Sequence, residues 1–404
     1  MFVGINVLNS IIILRNKHDS SNNINFIRFK DIKIPEERIK DELNFASERD
    51  EISLYTIKGK ILQKSLEDDR WLLNPKIYNI IFKSAFNNTT PLGQLCLIGV
   101  GIQTGRDNIF VINKEKINKY KIEKQVLRRF LKNGDLRRYR IEFNDLYLIY
   151  STKDIDLSKY PNLQKYLSKH KNELKRRHEF KQKKCKWYEL SVIRNKEIFD
   201  SDKPKIISPF MSTENRFVVD NDNIYTGSND IYVIQPLVTS LSVKSLTVLL
   251  NSKFLEFFHK NYAKLKRDNY YEYYTKTLEK YPIKIPQNQQ PFIILCNYML
   301  FLNKTEARRK SEKELIEFID KQIIDPLVYE LYFKEKFKQD GIKTNLFELV
   351  EPYFKDISNL NSDEQKLQTI KKVVEKIKND KRVMGQMEKI KSHPWVRVVE
   401  GERK

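Results

Sequence analysis

Between residues 92 and 285 the apolar residues fall in short runs bounded by turn-forming residues, a spacing that suits strands. The runs cover 95–100, 109–112, 146–150, 205–208, 216–219 and 231–234. Two segments in this region have helical spacing instead. One, over 162–184, is densely basic; the other, over 243–262, sets Leu246, Leu249, Leu250, Phe254, Phe257 and Phe258 on one face. The pattern predicts an α/β (α+β) domain built on a mostly antiparallel or mixed sheet. The flanks differ from it. Upstream, Pro35, Glu36 and Glu37 open a helix through Leu43 and Phe45, since proline and acids suit a first turn, and a second helix runs through Ile77, Ile80 and Ile81. Ile11 to Leu14 reads as a buried strand close to the initiator methionine. Downstream of Pro286 the chain becomes helical, with Leu315, Phe318, Ile319, Ile323, Val328 and Leu331 on one side. Gly341 breaks that helix, and a charged helix over 363–391 follows.

A chain of 404 residues exceeds one ordinary globular unit, and with 40% hydrophobic and 12% aromatic residues it has the material for a real core. Lys and Arg number 75 against 53 Asp and Glu, a formal charge of +22, which favours a polyanionic partner. Composition alone is equally compatible with a solvated basic surface that binds nothing. The three cysteines are far apart and the five histidines are scattered, so neither a disulfide framework nor a metal site is indicated. Arg15 and Lys17 follow the apolar N-terminal run instead of preceding it, which argues against a signal peptide, and no run is long enough for a membrane helix. A cytoplasmic protein is expected.

Specific motifs begin at Gly99-Val-Gly-Ile-Gln-Thr-Gly-Arg-Asp-Asn-Ile-Phe-Val-Ile112. Its glycines permit close backbone approach to a phosphate, but no Gly-Lys-Ser/Thr follows and a strand comes next, so alone it reads as a tight hairpin. In order after it come Leu131-Lys-Asn-Gly-Asp-Leu-Arg-Arg-Tyr139, Tyr160-Pro-Asn-Leu163 leading to Arg176-Arg177, and Trp187-Tyr-Glu-Leu190. Lys203-Pro-Lys-Ile-Ile207, Arg216-Phe217 with Asp220, Leu249-Leu-Asn-Ser-Lys253, and Leu278 with Tyr281-Pro-Ile283 complete the series.

This ordered series resembles the TaqI-like C-terminal specificity domain of type IIG restriction-modification enzymes and adenine-specific DNA methyltransferases. Asp325-Pro-Leu-Val-Tyr-Glu-Leu-Tyr332 resembles the helical segment that follows that domain, and Phe2 to Lys17 the last strands of a class I methyltransferase domain. The resemblance implies a remnant methyltransferase end over 1–30, a helical connector over 31–90, a target-recognition domain over 91–286 and a helical C-terminal region over 287–404. It implies sequence-specific binding of double-stranded DNA on behalf of a methyltransferase catalytic subunit. No cofactor is expected in this chain: S-adenosylmethionine would belong to the absent catalytic domain, for there is neither a glycine-rich AdoMet loop nor an Asn-Pro-Pro-Tyr tetrapeptide.

Candidate DNA contacts follow from base-edge chemistry and phosphate neutralisation. Gln103, Thr104 and Arg106 lie in the loop held by Gly101 and Gly105, and Arg137 and Arg138 follow Gly134-Asp135. Lys175, Arg176, Arg177, Lys183 and Lys184 lie on the basic helix, and Lys266 and Arg267 precede the aromatic cluster Tyr270, Tyr271, Tyr273, Tyr274. At least half of those rings are expected in the core. Catalytic residues are expected to be absent. Ser208-Pro209-Phe210 lacks the second proline of the methyltransferase tetrapeptide and reads as a turn. Asp200, Asp202 and Lys205 superficially offer a metal-dependent nuclease, but Pro204 sits among them. The alternatives are a free-standing basic nucleic-acid-binding protein and, less favoured, a nuclease.

Overall fold

The computed structural model describes residues 23–29, 34–43, 51–53, 55–62, 73–220, 225–226, 230–266 and 269–401; the run Ile11 to Leu14 lies outside them. A four-stranded antiparallel sheet forms the middle of the molecule, in the order Val218–Asp220, Lys205–Pro209, Ile231–Pro236, Cys96–Val100. Ile206 stands opposite Val219 and Ile234, and Ile207 opposite Val218 and Val233. Because side chains alternate along a strand, neighbours in sequence enter different cores. Ile207, Val218, Ile231 and Val233 join one core with Phe110, Phe130, Leu148, Leu163 and Leu174. Ile206, Val219, Tyr232 and Ile234 join the other, with the helices of the C-terminal half. This central sheet is therefore the wall between two cores. Its inner strands Lys205–Pro209 and Ile231–Pro236 read as apolar runs because both of their faces are covered, whereas on the edge strand Leu97 is exposed.

The first core is closed by an outer sheet in the order Tyr225–Thr226, Leu127–Leu131, Leu146–Ile149, Val111–Asn113, parallel in its first pair and antiparallel in the rest. The architecture is mixed α/β, as the spacing predicts. The segment after Cys96–Val100 is not a hairpin, however. It leaves the central sheet, makes a short helix at Asp107–Phe110 and enters the outer sheet. Ser208 and Pro209 are not in a turn either, being buried in the strand Lys205–Pro209. The region after residue 23 holds more than helices: Asn23–Phe29, Thr56–Leu62 and Glu51–Ile52 form a three-stranded antiparallel sheet. Its Phe26, Ile57 and Ile61 belong to the second core.

Three expected helices are broken, two of them at capping residues. Val243–Asn251 and Lys253–Tyr262 are separated by Ser252, whose hydroxyl caps the second helix through the Leu255 amide at 3.3 Å. Asp380 likewise divides Asp363–Asn379 from Lys381–Ser392 and accepts the Arg382 amide at 2.8 Å. The basic segment becomes Pro161–Lys169, Lys171–Lys175 and His178–Lys181. Gly341 ends Asp325–Gln339 with φ +75°, and His393 caps the last helix by accepting the Trp395 amide at 3.1 Å.

The helical region is joined to the sheet region by charge. Arg138 forks onto both carboxylate oxygens of Asp320 at 2.7 and 2.8 Å and donates to the Asn251 carbonyl. Asp320 lies in a π-helical turn at Ile319–Ile324. Arg140 reaches Glu142 at 2.6 Å and Glu306 at 2.5 Å. Asp325 is buried, accepts the Lys253 amide at 2.8 Å, and has its pKa raised by burial and by the neighbouring Asp320.

Two predictions follow from this packing. Arg138→Met leaves the Asp320 carboxylate stranded in a largely buried site and is expected to cost about 3 kcal/mol in urea unfolding, with Arg138→Met/Asp320→Leu recovering part of it; an unchanged midpoint for the single variant would contradict the joint. His259 is fully buried against Tyr273, ring centroids 3.8 Å apart, with both ring nitrogens lacking partners. Burial lowers its pKa from 6.5 to about 3. The folded state thus refuses a proton that the unfolded chain takes up, so stability is expected to fall as pH drops from 6.5 towards 3. His259→Phe should flatten the urea midpoint over that window, and an unaltered slope would exclude His259 as its source.

Candidate nucleic-acid interface

One end of the central sheet gathers the loops. Pro209 stands opposite Ile231, and Tyr232 opposite Val100, so the segments after Val100, after Pro209 and before Ile231 emerge together. The outer sheet delivers its turn at Lys132–Asp135 to the same place, since Thr226 pairs with Leu131. Lys132 ties three of these segments: its ammonium lies 3.3 Å from Asp107 and 3.1 Å from Asp230. Burial opposes that charge, but the two carboxylates hold the lysine pKa above its usual value, while burial raises that of Asp230. Asn133 accepts the Phe210 and Met211 amides at 2.7 and 3.2 Å and donates to the Met211 carbonyl at 3.0 Å. Met211–Ser212 pairs with Tyr271–Glu272, which brings in the 264–274 segment.

The glycine loop is built for packing. Its Gln103 makes a two-way backbone bridge to Val192, at 2.9 Å each way. Gly101 and Thr104 are buried, and the Thr104 hydroxyl bonds to Asp107 and accepts the Arg106 amide. Gly105 has φ +76°, and a Cβ there would stand 2.1 Å from the Ser191 hydroxyl and 2.9 Å from Arg177 Cδ. Arg177 lies under the loop at 2% exposure. It donates to the carbonyls of Leu174, Thr104, Glu189, Trp187 and Lys186 at 2.8 to 3.3 Å. Arg177 gathers these five carbonyls at the second break of the basic segment, between Lys171–Lys175 and His178–Lys181.

The expected contacts consequently separate by exposure. Arg177, Thr104 and Arg138 are engaged internally, and their side chains are not presented to a ligand. Arg137 donates to the Gly134 and Leu136 carbonyls and pairs with Glu142 at 2.8 Å, yet stays 41% exposed. Arg106 is also half-open, 3.2 Å from Glu173 on the basic segment. Lys175, Arg176, Lys183 and Lys184 are exposed, and Lys183 takes φ +57° at the end of the last basic turn. Lys266 pairs with Glu272 at 2.6 Å; Arg267 lies outside the described residues. In the aromatic cluster Tyr273 is core and Tyr271 half-buried, whereas Tyr270 and Tyr274 are exposed. The salt bridge Arg106–Glu173 and the seat of Gly105 on Arg177 join the basic segment to the glycine loop.

Sequence reasoning missed Lys132, Asn133, Asp107, Asp230 and Phe210 as organisers of this end. The Asn-Gly pair at 133–134 marks a turn, but nothing local indicates that its amide would hold a segment 77 residues away. Lys205 is fully buried, donates to the Ser201 carbonyl at 2.8 Å and has its pKa lowered by burial. With Asp200 and Asp202 it lies towards the opposite end of the central sheet from the loops, since Lys205 pairs with Asp220.

Residues 128–283 match the family described as the TaqI-like C-terminal specificity domain, and the chain carries that domain. Type II methyltransferase M.MjaIV of Methanocaldococcus jannaschii is 31% identical over 154 residues, covering 36% of this chain and 51% of that protein. Type II methyltransferase M.BanIII of Aneurinibacillus aneurinilyticus is 23% identical over 280 residues, 64% and 47% of the two chains. Type II restriction enzyme and methyltransferase RM.Eco57I of Escherichia coli is 24% identical over 342 residues, 73% and 33%. The chain thus spans about half the length, or less, of these relatives. Among solved structures, the type IIL restriction-modification enzyme MmeI in complex with DNA aligns over 71% of this chain and 36% of its own, at TM-score 0.42 and 14% identity.

Two of the three left-handed glycines among the described residues, Gly105 and Gly341, give a contrast that tests the loop packing. Gly341 faces open space, so Gly341→Ala is expected to cost about 1–2 kcal/mol from backbone conformation alone. Gly105→Ala adds the collision with Ser191 and is expected to lower the urea midpoint clearly more; equal effects would mean that the loop does not sit on Arg177 and Ser191 as described.

Proposed function

We propose that this chain is the target-recognition part of a restriction-modification system, reading double-stranded DNA for an adenine-N6 methyltransferase of the type IIG kind. The observation that carries this reading is the position of the matched specificity domain. It includes three of the four strands of the central sheet and most of the outer sheet, and the loop end where they meet presents exposed cations and aromatic rings. Sequence is read by side chains on base edges, and affinity comes largely from phosphate neutralisation. Arg106 and Arg137 remain open for guanine edges. The exposed Lys175, Arg176, Lys183 and Lys184 would neutralise phosphates.

The methylation step would belong to a catalytic domain outside this sequence, which would also bind S-adenosylmethionine. On this reading the protein is cytoplasmic; among the described residues no helix is long and apolar enough to cross a membrane. A free-standing basic binder is the second reading, favoured by the net charge of +22 alone.

Binding of the purified chain to random-sequence duplex DNA across a salt series, followed by sequencing of the bound fraction, separates these readings. Enrichment of a short motif is expected for a recognition module; a steep salt slope without enrichment leaves the basic binder. Replacing Lys175, Arg176, Lys183 and Lys184 with alanine should lower affinity across all sequences and reduce the slope of log K against log salt by up to about 0.9 per lost phosphate contact. An unchanged slope would remove the basic segment from the interface.

A further inference from the structure

An aromatic stack runs from the core to solvent at the loop end. Tyr232, on the central sheet, is 4% exposed. Phe210 stacks on it with ring centroids 6.1 Å apart and planes inclined by 22°, and Tyr274 packs on Phe210 at 5.7 Å. Tyr274 is 42% exposed, although burying a tyrosine ring is the usual outcome beside such a core. The stack is held from behind. Asn133 binds the Phe210 and Met211 amides, the Tyr273 amide donates to the Phe210 carbonyl at 3.0 Å, and burial, followed by the Glu272 carboxylate beside the hydroxyl, raises the pKa of Tyr274. Glu272 is itself paired with Lys266 at 2.6 Å. The result is a half-exposed ring that packs on Phe210 at the loop cluster, with the Lys266 cation nearby.

Rigid aromatic rings with one face open suit contacts that depend on shape, and base faces are the flat apolar surfaces a nucleic acid offers. In a paired duplex those faces are covered by stacking, so a protruding ring reaches them by opening a base step. Resting on the DNA-recognition reading above, we infer that Tyr274, backed by Phe210, is a wedge that packs on base faces at an opened step of the bound DNA. The cations then set how tightly any duplex is held, and the wedge sets how easily a particular step must open, a source of selectivity at positions without hydrogen-bond contacts.

The test compares the full chain with Tyr274→Ala and Tyr274→Phe on two probes, a random-sequence duplex and the same duplex carrying one abasic site, each across a salt series. The wild type is expected to bind the abasic duplex more tightly, because the step is already open. Tyr274→Ala should lose that preference and about 5- to 100-fold in affinity with an unchanged salt slope, as removal of one base–aromatic contact predicts. Tyr274→Phe, which keeps the ring, should behave as wild type. Unchanged urea midpoints establish that both variants fold. The wedge is overturned if Tyr274→Ala matches wild type on both duplexes, or if wild type binds the two duplexes equally; the DNA reading survives either result. A wild type that binds neither duplex overturns both.

Discussion

The strand Lys205–Pro209 is buried along its whole length and is paired on both edges, and the sheet around it has a core on each face. Residues at successive positions therefore answer to different cores, so a shift by one residue would put Lys205 where Ile206 stands, or Ser208 where Ile207 stands, and place a polar group in an apolar core. That constraint fixes the register of the sheet. It also fixes which loops leave its two ends, and through them the position of every exposed group at the loop end. The clamps added there, Lys132 between Asp107 and Asp230 and Asn133 on Phe210 and Met211, join segments whose directions the sheet has already set.

Within this arrangement the motif residues serve largely as scaffold. Arg177 collects five carbonyls, Gly105 lets the loop rest on it, and Arg138 joins the helical region at Asp320. Asn251 pairs with the Phe217 backbone in both directions, its carbonyl oxygen accepting at 2.9 Å and its amide donating at 2.8 Å. Such residues are recognisable in sequence because the geometry they serve is demanding. The side chains left open are fewer: Lys175, Arg176, Lys183 and Lys184 are exposed, while Arg106, Arg137 and Tyr274 are half-open and still touch Glu173, Glu142 and Phe210.

What was legible in the sequence follows the same division. The inner strands of the central sheet stood out because burial on both faces gives apolar runs. The helical region stood out by its period, and the specificity domain by the order of its motifs. The small sheet through Asn23–Phe29 and Thr56–Leu62 was not legible, because Lys58, Gly59 and Lys60 interrupt the apolar pattern and its partners lie 27 to 39 residues apart. The helix breaks at Ser252, Asp380 and Arg177 were missed for a local reason. A polar residue inside a periodic segment is compatible with either a solvated face or a cap, and the difference lies in a tertiary partner such as Asp325 for the Lys253 amide. Of the expected contacts, exposure could not be read from charge: Arg176 and Arg177 are adjacent and chemically identical, yet one is open and the other at 2%.

The proposal that the loop end recognises DNA can be tested directly by photo-crosslinking the chain to duplexes that carry 5-iodouracil at successive positions and sequencing the linked peptides. Crosslinks are predicted in 103–107, 171–184, 210–214 and 264–274, with Tyr274 among the linked residues. Crosslinks confined to the helices between Lys313 and Glu400 would place the nucleic acid on the other side of the molecule and contradict the assignment.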